Sequence, residues 1–350
     1  MDTMHVRFYP YSIPLSHQFR NIMQRSGLIA LREDVDPAGP LSVHGRRVDV
    51  AEVSPFWDYG VELSSRWVLA GMEALKHGYP PPVRTRIPIN VTIPALDPQE
   101  SARIARESGA HTAKVKIAQE GQTHAEDIAR IEAVHDALPQ ARIRVDVNGK
   151  WSVEEAARRL PDLDRAGGGL EYVEQPCATT SELAQLRRLV SVPIAADESI
   201  RLVDDPLQVV REGGADIAVI KNQPVGGVWR ALDIAQQLGL PTVVSSALET
   251  SVGLAAGLSF AGALGQLDYA CGLGTLSLFT ADTVTDSLTV RSGYLTVARS
   301  FTLRADVGAS EELSARWAVR LSMIWEYLQA KGEISADDTY ELVSLESVFA

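Results

Sequence analysis

The chain is 350 residues long, 45% apolar and carries a formal net charge of -12. That is enough material for one large core, but the wrong sign for a surface that grips nucleic acid or an anionic membrane. Its two cysteines, Cys177 and Cys271, form no Cys-x-x-Cys pair, which argues against a disulfide framework or a thiolate zinc site and fits a reducing, cytoplasmic setting.

The first seven residues, Met1-Asp-Thr-Met-His-Val-Arg7, open with an acid and contain no apolar run, so no secretory signal is expected. Residues 1–90 read as a separate α+β lobe. Proline-rich turns lead to an Arg-rich segment at 20–32 and a turn at Asp36-Pro-Ala-Gly-Pro40, and a helical stretch at 62–77 is closed by Gly78-Tyr-Pro-Pro-Pro82. From Ile87-Pro-Ile-Asn-Val-Thr-Ile93 onward, β-branched runs alternate with amphipathic helices at 126–138, 152–166 and 181–189. Counting Thr242-Val-Val-Ser-Ser-Ala247 and Leu267-Asp-Tyr-Ala-Cys271 gives eight candidate strands over 91–300, the rhythm of a parallel barrel. The small-residue stretch 251–267 suits a helix packed on a sheet better than a membrane span. Residues 301–350 are expected to return to the first lobe through a helix at 310–329, with Trp317, Leu321 and Trp325 on one face, followed by a mobile acidic tail from 333.

Five of the strand candidates end in charged residues: Lys114 and Lys116, then Asp146, Glu174, Asp197 and Lys221, spaced roughly 23 to 30 residues apart, about one strand and one returning helix each. In a parallel barrel such ends surround one mouth. Asp146, Glu174 and Asp197 would crowd three carboxylates together, which repulsion disfavours without a cation. A hard divalent ion, Mg²⁺ with Mn²⁺ as substitute, resolves the conflict. Lys114 and Lys116 are two apart on a strand and so share a face, and two adjacent ammonium groups lower the pKa of one toward that of a general base. Lys221 would face them across the mouth.

Lys-x-Lys at 114–116, Asp-x-Asn at 146–148, Glu-Gln-Pro at 174–176, Ala-Asp-Glu-Ser at 196–199 and Lys-x-x-Pro-x-Gly-Gly at 221–227 resemble the muconate-lactonizing subgroup of the enolase superfamily. Within it, Ser245-Ser-Ala-Leu-Glu-Thr-Ser-Val-Gly253 and Glu52-Val-Ser-Pro-Phe-Trp-Asp-Tyr59 look like the o-succinylbenzoate synthase family, although Ala51 stands where a Gly is expected. The resemblance, over roughly residues 10 to 330, implies an α/β fold: a modified (β/α)₈ barrel of TIM type, (β/α)₇β, with an α+β capping domain. It also implies dehydration of a small carboxylate, 2-succinyl-6-hydroxy-2,4-cyclohexadiene-1-carboxylate, to 2-succinylbenzoate for menaquinone biosynthesis. In that reaction Lys116 would abstract the proton α to the carboxylate and assist the departing hydroxide. Lys221 would stand as a cation on the opposite face, and Lys114 would tune Lys116. Asn148, Ser245, Ser246 and Glu249 are carried over as substrate-binding residues.

The histidines, His5, His17, His44, His77, His111, His124 and His135, stop before the late strands, which excludes a branch that needs a catalytic histidine there. N-succinylamino acid racemases and dipeptide epimerases share the two-lysine set, so they stay open alternatives. A Schiff-base aldolase using Lys221 would leave the carboxylates unexplained. A non-catalytic barrel predicts no Mg²⁺-dependent activity. Oligomeric state is not legible in the chain.

Overall fold

The computed structural model describes residues 3–345. The expectations for Met1, Asp2 and the last five residues of the acidic tail therefore lie outside the described residues.

Most of the Arg-rich segment is a strand. His5–Phe19 and Ile22–Arg32 form a long antiparallel hairpin. Its turn residues, Arg20 and Asn21, have φ of 45° and 64°, which suits a two-residue turn of the primed type that matches strand twist. The sheet runs in the order Thr339–Leu342, His5–Phe19, Ile22–Arg32, Val50–Val53. Both chain ends thus build one sheet, with Val6 opposite Tyr340 in parallel register. This corrects the expected mobile tail over 339–342. Helices Val61–His77 and Glu311–Lys331 complete the capping lobe, with Trp67, Trp317 and Trp325 buried.

The second sheet is parallel throughout, and each strand neighbours the next in sequence: Val91–Ile93, Thr112–Lys116, Arg142–Asp146, Leu170–Glu174, Ile194–Ala196, Ile217–Ile220 and Thr242–Val244. The expected eighth strand at 267–271 is instead a two-residue bridge. Cys271 pairs in parallel with Ile89 on one edge and Gly272 with Ser245 on the other, so the sheet curls shut through Cys271 N→Pro88 O (2.7 Å) and Gly272 N→Val244 O (2.8 Å). The expected first strand divides as well, because Arg86–Pro88 pairs antiparallel with Tyr294–Thr296 outside the barrel.

Side-chain caps fix where the returning helices begin. Thr123 and Thr179 each form a reciprocal box with the glutamate three residues on, and Ser152 caps Val153–Ala166. The capping lobe supplies two caps of its own. Glu73 accepts from Trp229 N (3.1 Å) and Arg230 N (3.2 Å) at the start of Val228–Leu238. Glu52 accepts from Thr250 N and Gly253 N, each at 3.0 Å, at the start of Ser251–Ala263. Each carboxylate meets free amides and the positive end of a helix dipole, and together they pin the lobe over the C-terminal ends of the barrel strands. Among the described residues no helix is long and apolar enough to cross a membrane; the stretch from Ser251 is a buried helix.

Candidate active site

The charged strand ends converge as a paired network. Lys116 sits opposite Asp146 and Asp146 opposite Glu174 in strand register, so all three project from neighbouring strands to the same side of the sheet. Lys114 Nζ donates to Asp146 Oδ2 (3.0 Å) and Glu174 Oε1 (2.8 Å), Lys116 Nζ donates to Asp146 Oδ2 (2.5 Å), and Lys221 Nζ donates to Asp197 Oδ2 (2.6 Å). Three ammonium groups therefore neutralise three buried carboxylates. Lys114 lies between Asp146 and Glu174, and among the described residues no three acid, His or Cys groups stand close enough together to hold a metal ion as positioned.

Burial and pairing spread the proton affinities apart. Burial works against ionised Asp146, yet Lys114 and Lys116 overcome it and hold the carboxyl far below its ordinary range. Asp197 falls to about 2, because Arg201 and Lys221 outweigh its desolvation. Glu174 moves the other way, to about 7, driven by burial and then by the adjacent Asp146 charge. Its Oε2 is buried with no hydrogen-bond partner. The lysines also separate. Burial, with Lys114 adding repulsion, lowers Lys116; Lys114 is desolvated too, but Asp146 and Glu174 raise it well above the usual lysine value. Lys114 does bear on Lys116, but burial is the larger cause.

Asn148 lies within the network: its Oδ1 accepts from Lys116 Nζ (2.9 Å), and its Nδ2 donates to Glu198 Oε1 (3.2 Å). Ser245, Ser246 and Glu249 are buried beyond strand Thr242–Val244. The Ser246 hydroxyl bonds that of Thr275 (2.7 Å), and Glu249 Oε2 accepts from Ala247 N (2.7 Å). Glu249 is raised to about 7 by desolvation and then by Glu52, with Arg25 and Lys221 opposing. Neither serine meets the lysine network directly.

Several participants escaped sequence reasoning. Arg201 donates to Asp197 Oδ1 (2.8 Å), Glu198 Oε1 (2.7 Å) and Tyr59 OH (3.1 Å); its spacing of four from Asp197 across a helix start was the available signal. Gln175 accepts from Asp197 N (3.0 Å) and Ser199 N (3.1 Å), fastening the turn that carries Asp197. Ala118, Asn148, Gln175 and Leu248 all take positive φ without being glycine, and each follows a barrel strand by a few residues. Such backbone is sparsely populated and clusters at functional loops. The hairpin tip reaches the mouth, with the Phe19 ring centroid 6.0 Å from Lys116 Nζ. A surface groove bordered by Arg187, Arg188, Asp216 and Tyr269 opens at the opposite end of the strands and contains none of these groups.

A family model described as "Enolase C-terminal domain-like" matches residues 97–304. An o-succinylbenzoate synthase from Thermobifida fusca (strain YX) is 49% identical over 323 residues, covering 91% of this chain and 97% of that protein. The chain belongs to the o-succinylbenzoate synthase family of the enolase superfamily. An o-succinylbenzoate synthase from Mycobacterium marinum is 48% identical over 292 residues, 83% of each chain. Among solved structures, 2-chloromuconate cycloisomerase from Rhodococcus opacus 1CP superposes with a TM-score of 0.73 at 22% identity, over 88% of this chain and all of that one. The L-Ala-D/L-Glu epimerase from Bacillus subtilis gives 0.70 at 19% identity, over 89% of this chain and all of that one. At that identity the likeness concerns the fold, an enolase-superfamily barrel with its capping lobe.

Proposed function

We propose that this o-succinylbenzoate synthase uses Lys116 as its base, with Lys221 as the facing cation and Mg²⁺ as the metal of this metal-dependent, lyase-type family. The observation that carries the reading is the single network in which Lys116 and Lys221 are each bonded to a different candidate ligand, Asp146 and Asp197, at the same barrel mouth.

The donor set suits a hard divalent cation. It consists of carboxylate oxygens from Asp146, Glu174 and Asp197, with no thiolate or imidazole among them. The buried, unpartnered Glu174 Oε2 is the atom most in want of positive charge. When bound there, Mg²⁺ supplies Lewis acidity that stabilises the negative charge building on the substrate carboxylate as its α proton leaves.

The chain's own residues carry the proton steps. Lys116 Nζ, held between Asp146 and Asn148, takes as the neutral amine the α proton of 2-succinyl-6-hydroxy-2,4-cyclohexadiene-1-carboxylate, a form that burial favours by lowering its proton affinity. The resulting ammonium then returns a proton to the departing ring hydroxyl, the C–O bond breaks, and water and aromatic 2-succinylbenzoate leave. Asn148 Oδ1 orients Lys116 Nζ between these transfers. Lys221, held by Asp197, presents a fixed cation on the other side. The Phe19 ring beside Lys116 and the burial of Asp146 limit water access, which strengthens each of these interactions.

Lys116→Ala should lower kcat by roughly 10²- to 10⁴-fold, the usual contribution of a general base, with the fold intact by circular dichroism. Near-normal turnover in that variant would refute the base assignment. Chelation should abolish dehydration and added Mg²⁺ should restore it; indifference to chelator would reject the cation site. A covalent Lys221 adduct on borohydride treatment would instead favour Schiff-base chemistry.

A further inference from the structure

We infer that Arg25 of the capping lobe is a positioning residue for this reaction, clamping the loop that follows barrel strand Thr242–Val244 and thereby setting substrate affinity. The inference rests on the barrel-mouth reading above and extends it to a residue that touches none of the network's lysines or carboxylates through hydrogen bonds.

Arg25 is only 1% exposed, and every hydrogen bond it makes is to a backbone carbonyl. Nε donates to Leu248 O (2.9 Å), Nη2 donates to Ala247 O (3.3 Å) and to Ser54 O, and Nη1 reaches Ser26 O (3.4 Å). Two of these carbonyls belong to the capping lobe and two to the barrel loop. A buried guanidinium is expensive, and replacing it by packed apolar groups is often harmless to stability, so packing alone does not explain its place here. The Phe56 ring, 4.1 Å from the guanidinium carbon, and the nearby Glu249 carboxyl offset that expense in part.

What the clamp holds is a strained turn. Leu248 has φ of 64°, a left-handed conformation that a γ-branched residue adopts at a disadvantage of roughly 5- to 30-fold. Its side chain is buried, so the conformation cannot relax outward. On either side of it lie Ser246, whose hydroxyl accepts from Leu248 N (3.4 Å), and Glu249, which accepts from Ala247 N. Glu52 fixes the far end of the same loop through Thr250 and Gly253. Arg25 therefore governs the shape of the segment carrying Ser245, Ser246 and Glu249 beside Lys221, while leaving the proton-transfer residues alone.

The test compares Arg25→Lys and Arg25→Met with the full-length parent in Mg²⁺. Arg25→Lys keeps the charge but cannot reach all four carbonyls. KM for the cyclohexadiene substrate should rise by about tenfold with kcat within about threefold, the pattern of lost binding rather than lost chemistry. The amides of 245–253 should exchange faster in hydrogen–deuterium measurements while those of Val228–Leu238 hold their protection. A residue that merely stabilised the fold would lower the active fraction, and so kcat, at constant KM. Unchanged KM together with unchanged exchange in 245–253 overturns the inference, as does failure of both variants to fold. Were the parent itself inactive, the proposed function would fall, while the exchange measurement would still decide whether Arg25 holds this loop.

Discussion

Gly227 shows how tightly single positions are constrained where the two lobes meet. Its φ is 138°, and a Cβ there would lie 2.2 Å from Glu73 Oε2. The Gly226-Gly227 pair has the look of an anion site or a plain helix start; in the fold the anion is the chain's own Glu73 carboxylate, capping Val228–Leu238 from the other lobe. Gly227→Ala should thus combine backbone strain with loss of that cap and destabilise by about 2–4 kcal/mol, measured as a lower urea midpoint with unchanged slope. A loss under about 0.5 kcal/mol, the range of an ordinary surface substitution, would show that Glu73 does not depend on this glycine. At this scale the lysines and acids at the strand ends were legible, because each closes an apolar run. Arg25, Arg201 and Gln175 were not, since their partners are backbone atoms or groups brought near only by the fold.

Elements were readable to the extent that they announce their own ends. Helices Val61–His77, His124–Ala137, Val153–Ala166, Thr180–Leu186 and Glu311–Lys331 fall within a few residues of expectation, because caps and stop signals are local. The first strand was hidden by Pro10 and Pro14. Both are tolerated there because they face away from Ile22–Arg32, toward an edge met only by isolated bridges, where Pro10 O accepts from Ala309 N (3.0 Å) and Pro14 O from Thr280 N (3.1 Å), so no continuous ladder needs their missing N–H groups. The C-terminal strand was hidden in turn because its positions alternate between exposed and half-buried with no buried apolar run, and its pairing is set by a partner over 300 residues away. Asp338 anchors it, fully buried and accepting from Met4 N (2.9 Å), Lys76 Nζ (2.6 Å) and Ser335 N (3.0 Å). Burial opposes its ionisation, but Lys76 and the two amides prevail and hold the carboxyl below the usual aspartate value. A depressed folded-state pKa means the anchor is fully present above about pH 4 and is lost as the pH falls through the lower folded value. The stability gap between the parent and Asp338→Asn should accordingly be about 1–3 kcal/mol at pH 7 and close in more acidic urea titrations. A gap independent of pH would mean that the carboxylate charge is not what holds the strand.

At the scale of the whole molecule, the lobes share their interior. One contiguous apolar cluster contains Phe8, Leu28 and Trp67 of the capping lobe together with Ile143, Val173 and Ile220 of the barrel. The junction is also crossed by polar ties: Glu52 and Glu73 at helix starts, Arg25 on loop carbonyls, and Tyr59 OH accepting from Arg201. Composition and the βα rhythm foretell a barrel and a second lobe, but they carry no information about this junction, because each tie joins residues from distant parts of the chain whose proximity only the assembled fold creates. Separable domains would meet through a modest polar surface and unfold one after the other. A shared core predicts one cooperative transition. The tryptophans allow this to be tested, since Trp67, Trp317 and Trp325 report on the lobe and Trp151 is buried in the barrel. Fluorescence of a variant retaining only Trp151 and one retaining only Trp67 should give coincident urea midpoints, and far-ultraviolet circular dichroism should overlay both. Midpoints that separate, with the lobe reporter moving first, would establish that the cap loosens on its own.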